Sequence, residues 1–96
     1  MQVHELKEWP ATFEENDRSH FSELRKGDRS FSAGDLLHIR EWVPPAGPYT
    51  GRERLAEVMR RHGGAAYGLG AVVLLECVRI KEHRDPDGTQ PDGAAR

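Results

Sequence analysis

Apolar and polar residues alternate with a period of two along much of this chain, which predicts strands. In VHELKEW, His4 and Leu6 share one face, and Val3, Glu5 and Lys7 share the other. In FSELR, Phe21, Glu23 and Arg25 oppose Ser22 and Leu24. In LLHIREWV, Leu37, Ile39, Glu41 and Val43 oppose Leu36, His38, Arg40 and Trp42. VVLLECVRIK is apolar and β-branched, as a central strand should be. RERLAEVMRR fits two patterns: Leu55, Val58 and Met59 form a helical stripe, while Leu55, Glu57 and Met59 alternate. Periodicity alone favours a helix there.

Between these segments, PATFEENDRSH predicts a helix, with Pro10 in its first turn and Trp9 and Phe13 one turn apart. Its acids fall too late to favour the dipole, so the helix should be short. KGDRSF predicts a turn around Gly27 and Asp28, with Asp28 bonding backbone N–H groups, and SAGD predicts a second turn. PPAGPYTG and HGGAAYGLGA read as loops. HRDPDGTQPDGAAR has no apolar anchor. It is expected to be a disordered tail over 84–96, which leaves one domain over 1–83.

Composition narrows the class. Ninety-six residues suit one small domain with a modest core. A net charge of -2 argues against strong non-specific nucleic-acid binding. The basic surface is mild and central: residues 21–64 hold eight bases and six acids, whereas the first twenty hold two bases and five acids. One cysteine, Cys77, excludes an internal disulfide, and its apolar strand makes it a core residue. No apolar run approaches a membrane span, and the N-terminus lacks the pattern of a signal peptide. The expectation is a cytoplasmic protein, monomeric by default and away from membranes. The histidines are scattered without metal-ligand spacing and the glycines around position 64 make no phosphate loop, so no metal or cofactor is expected.

The segments HELKEWP, ELRKGDRSFSAGDLLHIREW and YTGRE, followed by VVLLECV, occur in an order that resembles the ASCH domains of the PUA-like superfamily. The nearest likeness is to a small bacterial and phage branch, from about His4 to Ile80. The resemblance implies a small, mainly β (α+β) barrel with one or two short helices, and it makes 52–61 a strand. It also implies RNA or nucleotide binding; some such domains deacylate acetylated cytidine and others have been described as ribonucleases. The family pattern is roughly Gly-x-Lys-x-x-Glu-x-Arg. Glu23 and Arg25 occupy its last two motif positions, while Arg18 replaces the glycine and His20 the lysine. The deacylating relatives carry lysine at the position of His20 and threonine at that of Glu23, so their activity does not carry over.

The residues give this resemblance chemical content. Glu23 and Arg25, two apart on a strand, point the same way and can pair. A paired Arg fork could read the polar edge of a base or hold a phosphate. The plain alternative is a surface ion pair worth at most about 1 kcal/mol. His20 could act as acid or base beside Glu23, or be an ordinary surface histidine. Lys7 could join Glu23 and Arg25 if the first two strands end close together, or merely blunt an edge. Arg29 and Arg40 could line a phosphate track. Tyr49 is the better candidate for stacking on a base, whereas Trp42, on the face of Leu36, is expected to pack in the core. His4 is expected to be a satisfied, partly buried ring.

Three functions follow. The first is binding of RNA, a nucleoside or a nucleotide around Lys7, Glu23, Arg25, Arg29, Arg40 and Tyr49. The second is hydrolysis of RNA or a modified nucleoside, with Glu23 or His20 as catalytic base. The third is a non-catalytic interaction module, favoured if Glu23 and Arg25 are fully exposed.

Overall fold

A computed structural model describes residues 1–27 and 29–83; Asp28 of the predicted turn and the predicted tail 84–96 lie outside the described residues. The elements run β1 (Val3–Glu8), α1 (Pro10–Glu15), β2 (His20–Lys26), β3 (Leu36–Trp42), β4 (Tyr49–Gly63), a 3₁₀ turn (Gly64–Tyr67) and β5 (Val72–His83). The fold is mainly β. Its five strands form one curled sheet, a half-barrel, in the order β1-β3-β4-β5-β2. β1 pairs parallel with β3 and every other pairing is antiparallel. Residues 52–61 are strand, because β4 bonds along both edges, to β3 and to β5.

Curling has a local cause. β4 carries irregularities between Leu55 and Ala56 and between Val58 and Arg60 against β5, and such bulges bend a strand and raise its twist. They carry the sheet round until its edge strands, β1 and β2, face each other across an open seam. Arginine side chains stitch that seam: Arg25 donates from Nη2 to the Lys7 carbonyl at 3.4 Å, and Arg29 from Nη1 to the Glu5 carbonyl at 3.0 Å. Edge carbonyls of β1 thus find donors where a further strand would otherwise pair.

The concave face buries Leu6, Phe21, Leu37, Ile39, Ala56, Val58, Val73, Leu75 and Cys77, joined by Phe13 and Phe31. It also buries His4, Glu8, Glu23, Glu41 and Arg54. On β4 the inward residues are therefore Arg54, Ala56 and Val58, while Met59, from the alternation marked in the sequence, is exposed. Helix α1 closes one end. Six residues are too few to hold a helix by propensity, and Phe13 anchors it with no exposed surface. The Phe13 carbonyl accepts from Arg54 Nη2 at 3.0 Å, and its ring lies 4.1 Å from that guanidinium.

His4 is satisfied as expected. Its Nε2 bonds Asp35 Oδ2 at 2.8 Å and its ring lies 4.5 Å from Phe31. Asp35 also accepts from the backbone N–H of Gln2 and Ser32. The His4 bond, then those backbone donors, hold the Asp35 carboxyl below its usual range. Trp42 departs from expectation: it is half-buried, with Gly47 against one side and Lys7 Nζ 4.2 Å from the ring centre. Gly47 has φ +99°, and an added Cβ there would lie 3.0 Å from Trp42 Nε1, so only glycine lets the proline loop close over the indole.

Candidate functional site

Two clefts meet at the seam. The outer one, about 280 Å³, is lined by Glu5, Leu6, Lys7, Arg25, Arg29, Arg40 and Tyr49. The second, about 350 Å³, lies beneath α1 between Lys7, Glu8, Trp9, Thr12, Asn16, Glu23 and Arg25. Lys7 and Arg25 line both.

The outer cleft draws on four strands and a loop. In register, Lys7 of β1 lies opposite Arg40 of β3, and Trp42 opposite Tyr49 of β4. Period-two alternation puts Lys7, Arg40 and Trp42 on the convex side of the sheet. Arg40 lies flat over Tyr49, its guanidinium carbon 3.8 Å from the ring centre. Arg25 and Arg29 enter from across the seam. Among the described residues, Lys7, Arg29 and Arg40 have no carboxylate partner; they rest on aromatic faces or a backbone carbonyl. Five of the predicted ligand residues, Lys7, Arg25, Arg29, Arg40 and Tyr49, therefore share one cleft.

Glu23 is the sixth, and it lies on the floor of the second cleft. It is buried, with only 3% of its surface exposed, so the Glu23–Arg25 pair is no surface ion pair. Glu23 Oε1 accepts from Arg25 Nε at 3.1 Å and Oε2 from Asn16 Nδ2 at 3.0 Å. The side chain of Arg25 keeps 23% exposure and spans both clefts. An interaction module using a fully exposed pair would not look like this.

Beside Glu23 lies a residue the sequence reading passed over. Glu8 is buried and within hydrogen-bonding reach of Glu23. Burial pushes its carboxyl up to about 9, helped by the bond to Glu23 and by that neighbour's charge, against the pull of Arg25 and Arg54. Glu8 Oε2 accepts a long 3.5 Å contact from Arg25 Nη2. Its Oε1 lies 3.9 Å from Arg54 Nη1, and neither of those two atoms has a hydrogen-bond partner. Arg54 is itself wholly buried, held by Glu82 at 2.5 Å and by the Phe13 carbonyl. The alternation of His4 and Leu6, carried one step further, would have put Glu8 on the inner face.

His20 lies apart. It sits three residues before Glu23 on β2, and the alternation turns it to the opposite face. It lines a hollow of about 640 Å³ with Arg18, Met59, Leu74, Glu76 and Cys77, which shares Glu15, Asn16 and Ser22 with the second cleft, and it bonds Ser19. No hydrogen bond or ion pair joins it to Glu23 among the described residues. Cys77 is buried, and burial pushes its thiol up to about 12, so it is inert packing. Among the described residues no three His, Cys, Asp or Glu side chains group as metal ligands, and no helix is long and apolar enough to cross a membrane.

A curled five-stranded sheet with a partly charged interior and a basic cleft on its open seam defines a small β domain whose candidate site lies between its two edge strands. The chain belongs to the DUF3850 family, described as a domain of unknown function, whose profile matches residues 3–75. That span holds all seven predicted site residues together with Glu8. No curated protein matches the chain.

Proposed function

We propose that this protein binds single-stranded RNA or a nucleotide at the seam, as an ASCH-type domain of the PUA-like superfamily. The observation that carries the reading is convergence: Lys7, Arg25, Arg29, Arg40 and Tyr49, from four strands and a loop, line one small cleft. Cations without carboxylate partners are available to phosphates, and an exposed aromatic offers a face to a base. The cleft is small and the chain carries a net charge of -2, which suits a short or single-stranded ligand over a duplex. The test is the affinity of a labelled hexaribonucleotide across a salt series. Binding should weaken steeply with salt, and Arg40→Gln should lower the slope by about 0.7, one phosphate contact on a single strand. Absence of binding, or binding indifferent to salt, rejects the reading.

A second reading is hydrolysis of RNA or a modified nucleoside. Its support is the carboxyl pair: Glu8 and Glu23 are both buried on one cleft floor, and burial raises the Glu8 carboxyl, the pattern of an acid–base couple. Glu23→Gln should then abolish turnover of a short RNA or an acylated nucleoside while leaving binding in place. Equal rates for that variant and the parent would remove the hydrolase.

A further inference from the structure

Two cation–aromatic pairs lie side by side on neighbouring strands, one within the outer cleft and one sharing its Lys7. Arg40 covers the face of Tyr49, and Lys7 covers the face of Trp42. Register makes the arrangement a small grid, with Lys7 beside Arg40 and Trp42 beside Tyr49. Tyr49 is 42% exposed, and Trp42 has Gly47 on one side and Lys7 on the other. The two cations have no carboxylate partner among the described residues, so little besides the rings holds them. Arg29 and Arg25 lie at the same mouth.

An exposed cation–aromatic contact is weak, and a nucleobase competes for the same ring face with a larger contact area. A cation displaced from the ring stays on its strand, within reach of the phosphate attached to that base. We propose that Tyr49 and Trp42 are base-stacking platforms, and that binding exchanges cation for base: the base takes the ring face while Arg40 or Lys7 moves to the phosphate. The ligand class is a unit with both a planar base and a phosphodiester or phosphate. Its source is a single strand or a free nucleotide. This deepens the nucleotide reading of the cleft and rests on it.

The exchange makes binding depend on bases as well as on charge. The test titrates the intact protein with hexauridylate, with an abasic ribose-phosphate hexamer of equal charge, and with uridine monophosphate. Hexauridylate should bind at least about tenfold more tightly than the abasic hexamer. Tyr49→Phe should keep that preference, whereas Tyr49→Leu should cut hexauridylate affinity about 5- to 100-fold and leave the abasic hexamer unaffected. In a Trp9→Phe background, Trp42 fluorescence should respond to hexauridylate and not to the abasic hexamer. A response to uridine monophosphate too, weakened by Tyr49→Leu, supports exchange with a free nucleotide as ligand. Equal affinity for hexauridylate and the abasic hexamer overturns the exchange while leaving a phosphate cleft in place. No binding of any of the three overturns the nucleotide reading itself. The comparison of the three ligands needs no variant, so a misfolded substitution cannot rescue the proposal.

Discussion

Two buried glutamates face each other in register across β1 and β3, and the fold treats them in opposite ways. Glu41 receives three donors. Thr50 Oγ1 donates at 2.6 Å, Arg52 Nε donates at 2.7 Å, and Arg52 Nη2 donates to its second oxygen. Arg52 is held in turn by Glu14 at 2.9 Å. Burial would raise the Glu41 carboxyl, but the Arg52 and Thr50 bonds outweigh it and hold it below its usual range. Glu8 instead gets a long contact from Arg25, a second carboxylate beside it and an unpartnered oxygen, and burial raises it. One corner is closed and built for stability. The other, opening on the seam clefts, keeps a buried acid under-paired, which costs stability and suits a site.

Removing Glu41 should have the largest effect. Glu41→Ala leaves Arg52 with Glu14 alone and takes the acceptor from the Thr50 hydroxyl, and should cost about 3 kcal/mol in urea unfolding, in line with breaking a buried ion pair. A loss below about 1 kcal/mol would erase the contrast between the corners.

Glu8→Gln should act the other way. In the unfolded chain Glu8 ionises near its ordinary 4.5, while in the native protein it keeps its proton to about 9. Between those values the native state binds more protons, so the stability from Glu8 is full below about 4.5, falls as pH rises and is gone above about 9. Glutamine cannot ionise. The variant should gain stability over its parent as pH rises from 4.5 toward 9 and equal it in acid. Paired unfolding curves at pH 4 and pH 9 would show it, and a variant destabilised at both would refute it. Glu41 has the opposite sign: its depressed carboxyl stabilises at neutral pH, and that contribution fades as pH falls below the ordinary carboxylate range.

Smaller still is the effect of His38, on the convex side between Glu5 and Glu53. Burial lowers its pKa, but bonds to Glu5, at 2.9 Å, and to Glu53 outweigh it and raise the imidazole above 6.5. Its stabilising charge is present below 6.5 and disappears as pH rises through the raised value. With partners this exposed, the contribution is at most about 1 kcal/mol. A ¹³C-edited NMR titration of the ring should give a midpoint above 6.5, and one at or below 6.5 would dismiss the triad.

Much of the architecture was legible. Alternation in FSELR placed Glu23 and Arg25 together, and LLHIREWV was split into its two faces, although the core lies on that of Leu37, Ile39 and Glu41 and not on that of Leu36 and Trp42. RERLAEVMRR was harder, because the inner face of β4 is Arg54, Ala56 and Val58 while Leu55 and Met59 face outward. A half-barrel with Glu8, Glu23, Glu41 and Arg54 inside dilutes the hydrophobic signal that periodicity depends on. Glu8 was missed for that reason, since a glutamate closing VHELKE looks like surface. The gathering of Arg29, Arg40 and Tyr49 was named residue by residue but not as a cleft. It depends on the curl that brings β1 to β2, a long-range event that no local pattern records. His20 came from the motif position and not from alternation, which turns it to the face opposite Glu23.

The most direct test of the seam site is a ¹H–¹⁵N NMR titration of the whole protein with hexauridylate. Shifts should cluster on Lys7, Arg25, Arg29, Arg40 and Tyr49, with Trp42 and Glu8 responding beside them. Shifts confined to the hollow of His20, Met59 and Cys77, or none at millimolar ligand, would contradict it.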